Sequence, residues 1–92
     1  MSPEQEEIRG NEADRLLNDH LFKEAFTETE AAIVQRLKTC PVGDRELQHE
    51  LILTLQLLNR VHGYIKTVAE TGKLAKLQKM QKSFADRMLR RA

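Results

Sequence analysis

The side chains able to do chemistry in this chain are few and scattered. Histidines stand at positions 20, 49 and 62, the one cysteine at 40 and the serines at 2 and 83. The histidines do not cluster at ligand spacing, and no serine or cysteine has an evident base partner for nucleophilic work. Ser2 and Ser83 fall near the ends, His62 reads as a packed histidine, and Cys40 reads as a helix-end filler beside Pro41. One cysteine allows no disulfide within the chain and no cysteine-based metal site. The single constellation with ligand spacing is Glu46-Leu47-Gln48-His49, the Glu-x-x-His step of di-iron bundles. Glu28 on a facing helix would add a carboxylate. Glu46 and His49 lie in the first turns of their helix, where exposed polar residues are common. The expectation is therefore no metal, no cofactor and no catalytic residue, with Glu28, Glu46 and His49 the only candidate ligands.

Charge carries more information. Residues 1–30 hold nine acids against three bases, whereas residues 73–92 hold seven bases (Lys73, Lys76, Lys79, Lys82, Arg87, Arg90, Arg91) against Asp86 alone. A formal net charge of +1 thus conceals −6 at one end and +6 at the other. Lys76, Lys79, Lys82, Arg87, Arg90 and Arg91 suit an acidic protein surface or the phosphates of nucleic acid. The same layout also suits plain pairing of the two ends, within a chain or across subunits. Aromatic residues make up only 4% of the chain, with no tryptophan, which counts against a stacking platform for single strands. No apolar run approaches the roughly 20 residues that span a bilayer. The acidic N-terminal stretch is the reverse of a secretory signal. A soluble protein of the cytoplasm is expected, without a membrane partner.

These groups must be carried by helices: 32% of the residues are charged and only four are glycine. Ser2-Pro3-Glu4-Gln5 is a capping-box start to a short acidic helix, poor in apolar residues and weakened by Gly10, expected to attach loosely over residues 1–17. Asn18 or Asp19 caps a second helix whose Phe22, Phe26, Thr29, Ile33 and Leu37 recur at 3–4 spacing; with Asn18 as the cap, Leu17 and Phe22 form a hydrophobic staple. Pro41 ends it and Asp44 starts a long third helix. There Leu47, Leu51, Thr54, Leu58, Val61, Ile65, Val68 and Gly72 make an unbroken heptad seam, with Thr54 and Asn59 as polar positions able to fix register. Gly72 reads as a kink, a C-cap or a tolerated glycine.

The fold expected is all-α. A helical hairpin of about 19–40 and 44–71 forms a core over 18–72, with a basic amphipathic extension at 73–92. Residues 51–58 are apolar nearly all the way round, more than one partner helix covers, so oligomerisation is expected to complete the fold through Leu51, Leu55, Leu58, Val61 and Ile65.

The stretch Arg9-Gly10-Asn11-Glu12-Ala13 through Leu21-Phe22-Lys23-Glu24-Ala25-Phe26 adds a further expectation. So does the stretch from Asp44-Arg45-Glu46 through Leu57-Leu58-Asn59-Arg60-Val61 to Glu70-Thr71-Gly72-Lys73-Leu74-Ala75. Together, over residues 9–77, they resemble a group of small helical proteins of tailed bacteriophages and prophages, often encoded among head-assembly genes. The resemblance implies a virion-morphogenesis or packaging setting in a bacterial host, and carries over no catalytic residue. The basic tail is similar in kind to the helical C-terminus by which phage scaffolding proteins often grip coat protein. The function expected is a non-enzymatic assembly or interaction protein, with itself and a phage or host protein as partners. A DNA-binding packaging accessory using the tail, and a bundle-type metal-binding protein, are the alternatives.

Overall fold

The structure is a computed structural model and describes residues 1–91, with side chains through residue 90. It is all-α: α1 spans Pro3–Asn18, α2 His20–Thr39 and α3 Arg45–Arg91, and no strand occurs among the described residues.

Local chemistry sets nearly every helix end. Ser2 Oγ accepts from the Gln5 amide at 3.3 Å while Gln5 Oε1 accepts from the Ser2 amide at 3.2 Å, a reciprocal capping box with Pro3 at the first helical position. Asp19 caps α2, with extended backbone angles and Oδ1 accepting from the Phe22 amide at 2.8 Å. With Asp19 rather than Asn18 as the cap, Leu17 and Phe22 are out of step for a staple. Asp19→Ala is expected to lower stability by about 1 kcal/mol, read as a shift in a urea unfolding curve. Cys40, extended before Pro41, terminates α2, and its thiol donates to the Leu37 carbonyl oxygen at 3.1 Å. Asp44 Oδ1 then accepts from the Leu47 amide at 3.0 Å and opens α3. The Gln48 side chain reaches back to the carbonyl oxygens of Pro41 and Val42 at 3.2 and 3.0 Å, holding the turn from the helix that follows it.

The chain divides into two compact units, Leu17–Tyr64 and Met1–Leu16 with Ile65–Ala92, so contacts group the N-terminal helix with the basic segment. In the first unit, α2 and the opening turns of α3 form the expected hairpin. Phe22 and Phe26 lie 4.7 Å apart between ring centroids, and Phe26 meets the His62 ring at 5.3 Å. Leu51 is buried, with Leu47, Leu55, Leu58 and His62 half-buried. The seam read from sequence shares Leu47, Leu51 and Leu58 with this buried line, but two positions of its other row are displaced by one residue. Leu55 and His62 turn inward, while Thr54 and Val61 are exposed. The cause is the side from which α2 approaches, marked by the Phe26–His62 contact. Thr54 instead donates its hydroxyl to the Glu50 carbonyl oxygen at 2.8 Å, one turn back on its own helix, and Asn59 is exposed.

In the second unit, α1 runs antiparallel to the later turns of α3 and crosses them on small residues. Gly10, Ala13, Ala69, Gly72 and Ala75 are buried there. A Cβ built on Gly10 would stand 2.5 Å from the Gly72 Cα, and one built on Gly72 would stand 2.5 Å from the Gly10 Cα and 2.9 Å from the Glu6 carbonyl oxygen. Both glycines are there because the backbones touch. α3 continues through Gly72 as unbroken helix, so the glycine is not a C-cap. Within this unit α1 buries Gly10 and Ala13.

Candidate interaction surfaces

The acidic and basic ends meet within the chain. Lys79 Nζ donates to Glu7 Oε2 at 3.0 Å, and Lys73 Nζ lies 3.9 Å from Asp14 Oδ1. The hydrogen bond to Glu7, and then the charges of Glu7 and Glu4, hold the Lys79 ammonium above its ordinary value of 10.5. A lysine raised on folding contributes stability that is fully present below its unfolded value and is lost as pH climbs through the higher folded one. An alkaline melting series should therefore show a stability loss above about pH 10.5 that Glu7→Gln removes. The pair is exposed, so the effect should be small and fade in high salt.

The other tail cations are not engaged in this way. Lys76, Lys82, Arg87 and Arg90 are exposed and make no ion pair among the described residues; the side chain of Arg91 lies outside them. Lys82, Arg87 and Arg90 border an open cleft of about 520 Å³ with Lys79, Asp86, Ser83 and the residues Ser2–Glu4 that open α1.

Of the residues expected to mediate self-association, Leu51 is buried and Leu55, Leu58 and Ile65 are half-buried within the chain itself, whereas Val61 is 54% exposed. The apolar residues that face outward include Val61 but are otherwise different ones. Leu53, Leu57, Val61 and Tyr64 share one exposed arc of α3 of about 80° at 100° per residue. Leu77, Met80, Phe84 and Met88 form a second exposed arc of similar width. Sequence periodicity gives the second stripe, as the apolar side of the amphipathic extension, with Leu74 beside it. It did not isolate the first, because residues 51–58 are apolar all round and the phase of the hairpin seam, marked by Phe26 and His62, decides which are left over.

The histidines and carboxylates stay apart. Glu28, Glu46 and His49 are each exposed, and no group of three or more His, Cys, Asp or Glu able to hold a metal ion occurs among the described residues. His62, half-buried against Phe26, borders a small cleft of about 250 Å³ with Phe22 and Asn59. No described helix is long and apolar enough to cross a membrane.

Fold and surface together define an all-α chain of three helices with exposed apolar stripes and a basic segment. Compared with known proteins, it matches no family model, no curated protein and no solved structure.

Proposed function

We propose that this chain is a non-enzymatic assembly or interaction protein that works by helix packing and electrostatic docking. The observation that carries this reading is the mismatch between what is buried and what is left outside. Among the described residues, Leu51, 9% exposed, is the one large apolar side chain in the buried core, beside Ala13, Ala69 and Ala75. Sixteen large apolar side chains among the described residues, from Leu16 at 42% to Val42 at 93%, remain exposed. Exposed apolar surface on that scale marks a protein that meets others. The phage head-assembly setting, in a bacterial host and with the virion as destination, rests on the sequence resemblance.

Light scattering after size exclusion, at low and high salt, tests the reading. A salt-resistant oligomer free of nucleic acid is expected, and a monomer would refute self-association. A second reading, a packaging accessory that holds DNA, is favoured by the exposed Lys76, Lys82, Arg87 and Arg90. Deleting residues 73–92 is a poor test of it, since Ala75 and the partner of Glu7 would go as well. Neutralising those four cations to glutamine leaves the α1 contact in place. Loss of co-purifying nucleic acid in that variant, read as a fall in the 260/280 nm absorbance ratio, would favour the DNA reading over the protein one.

A further inference from the structure

The two exposed stripes of α3 have matching spacing. Leu53, Leu57, Val61 and Tyr64 advance by steps of 4, 4 and 3 residues. Read backwards along the chain, Met88, Phe84, Met80 and Leu77 advance by the same 4, 4 and 3. Two helices laid antiparallel therefore bring four apolar pairs into register: Leu53 with Met88, Leu57 with Phe84, Val61 with Met80, and Tyr64 with Leu77. Each stripe spans about three helical turns, or roughly 16 Å.

Charge agrees with spacing. Glu46 and Glu50, both exposed, continue the first stripe towards its N-terminal end, with Arg60 at its margin. Arg87 flanks the second stripe near Met88 and is likewise exposed. In the antiparallel register Arg87 falls opposite Thr54, four residues or about 6 Å from Glu50, which sets opposite charge at the rim of an apolar centre.

The chain has surface to spare. It exposes 7684 Å², whereas a folded chain of 10.6 kDa is expected to expose about 5,500 Å². The surplus of about 2,200 Å² belongs to the chain as a whole, and the eight side chains of the two stripes are half of its sixteen exposed large apolar ones among the described residues.

We propose that residues 53–64 of one copy dock antiparallel on residues 77–88 of a second copy of this chain. The inference rests on the self-association reading above and names its surface. Every copy carries both halves of the contact, so the assembly either closes on a symmetry axis or continues head to tail.

The test uses two full-length variants, Leu57→Lys and Phe84→Glu, with mass measured by sedimentation velocity. Both positions are exposed, at 61% and 65%, and both new residues are good helix formers, so circular dichroism should match the wild type. Each variant alone loses the contact at one of its two halves, and its dissociation constant should rise by about two orders of magnitude. Mixed, the intact 53–64 stripe of Phe84→Glu meets the intact 77–88 stripe of Leu57→Lys. A 1:1 complex of twice the 10.6 kDa chain mass is then expected. A wild-type oligomer that both variants leave intact would overturn this surface while sparing the self-association reading. So would dissociated variants that fail to pair on mixing. A monomeric wild type would overturn the reading and the inference together.

Discussion

Gly10→Ala should destabilise the chain by about 2 kcal/mol, although alanine is the better helix former. In an isolated helix the substitution stabilises by about 1 kcal/mol, so the expected sign is the reverse of what helix propensity dictates. The reason is that the added methyl would sit 2.5 Å from the Gly72 Cα and 3.3 Å from the Val68 carbonyl oxygen. Both are backbone atoms and cannot swing aside, so the helices must separate. Separation uncovers Ala13, Ala69 and Ala75 together and draws Glu7 away from Lys79. Gly63→Ala supplies the contrast, since a Cβ there meets nothing within 4 Å. That variant should gain about 0.5–1 kcal/mol. Urea unfolding gives both numbers, and amide exchange of residues 3–18 should accelerate in Gly10→Ala alone. If Gly10→Ala proved as stabilising as Gly63→Ala, the packing of α1 on α3 would be refuted.

Leu51→Ala should cost more, about 3 kcal/mol, within the 2–5 kcal/mol span of buried leucine truncations. Leu51 is only 9% exposed and is the one large apolar side chain in the buried core among the described residues. Single domains are stable by about 5–15 kcal/mol, so this loss is a large fraction of the total. Leu57, one and a half turns further along the same helix, is 61% exposed. Leu57→Ala should change the stability of the unassembled chain by less than about 0.5 kcal/mol, as surface substitutions do. The measurement is urea unfolding at protein concentrations low enough to keep the chain dispersed. Equal losses at the two positions would mean that the hairpin seam is not where Phe26 and His62 place it.

These two substitutions also mark the boundary of what sequence reasoning can reach. The reciprocal bonds of Ser2 with Gln5, the stop at Cys40-Pro41 and the start at Asp44 were legible because each is made by residues within a few positions of one another. The same locality gave two candidates for the cap of α2, and the hydrogen bond from the Phe22 amide selects Asp19. The seam was legible to within one residue. Two adjacent rows of α3 are apolar, and the choice between 54 and 61 or 55 and 62 belongs to the partner helix. The opposed charges of the two ends were also visible, but not that Glu7 and Lys79, 72 residues apart, would meet in one chain.

By itself, the sequence determined the helical class, the starts of α1 and α3, the end of α2, the turn at 40–44 and the abundance of apolar side chains around residues 51–58. All of these follow from local backbone preferences, short-range capping bonds and hydrophobic periodicity. Only the tertiary structure decided that Gly10 and Gly72 are a contact rather than two weak points, and which leucines of α3 stay outside. A glycine's local signal is the same whether it loosens a helix or admits a neighbouring backbone, and a helix that is apolar all round leaves its buried face to be chosen by the partner that packs against it.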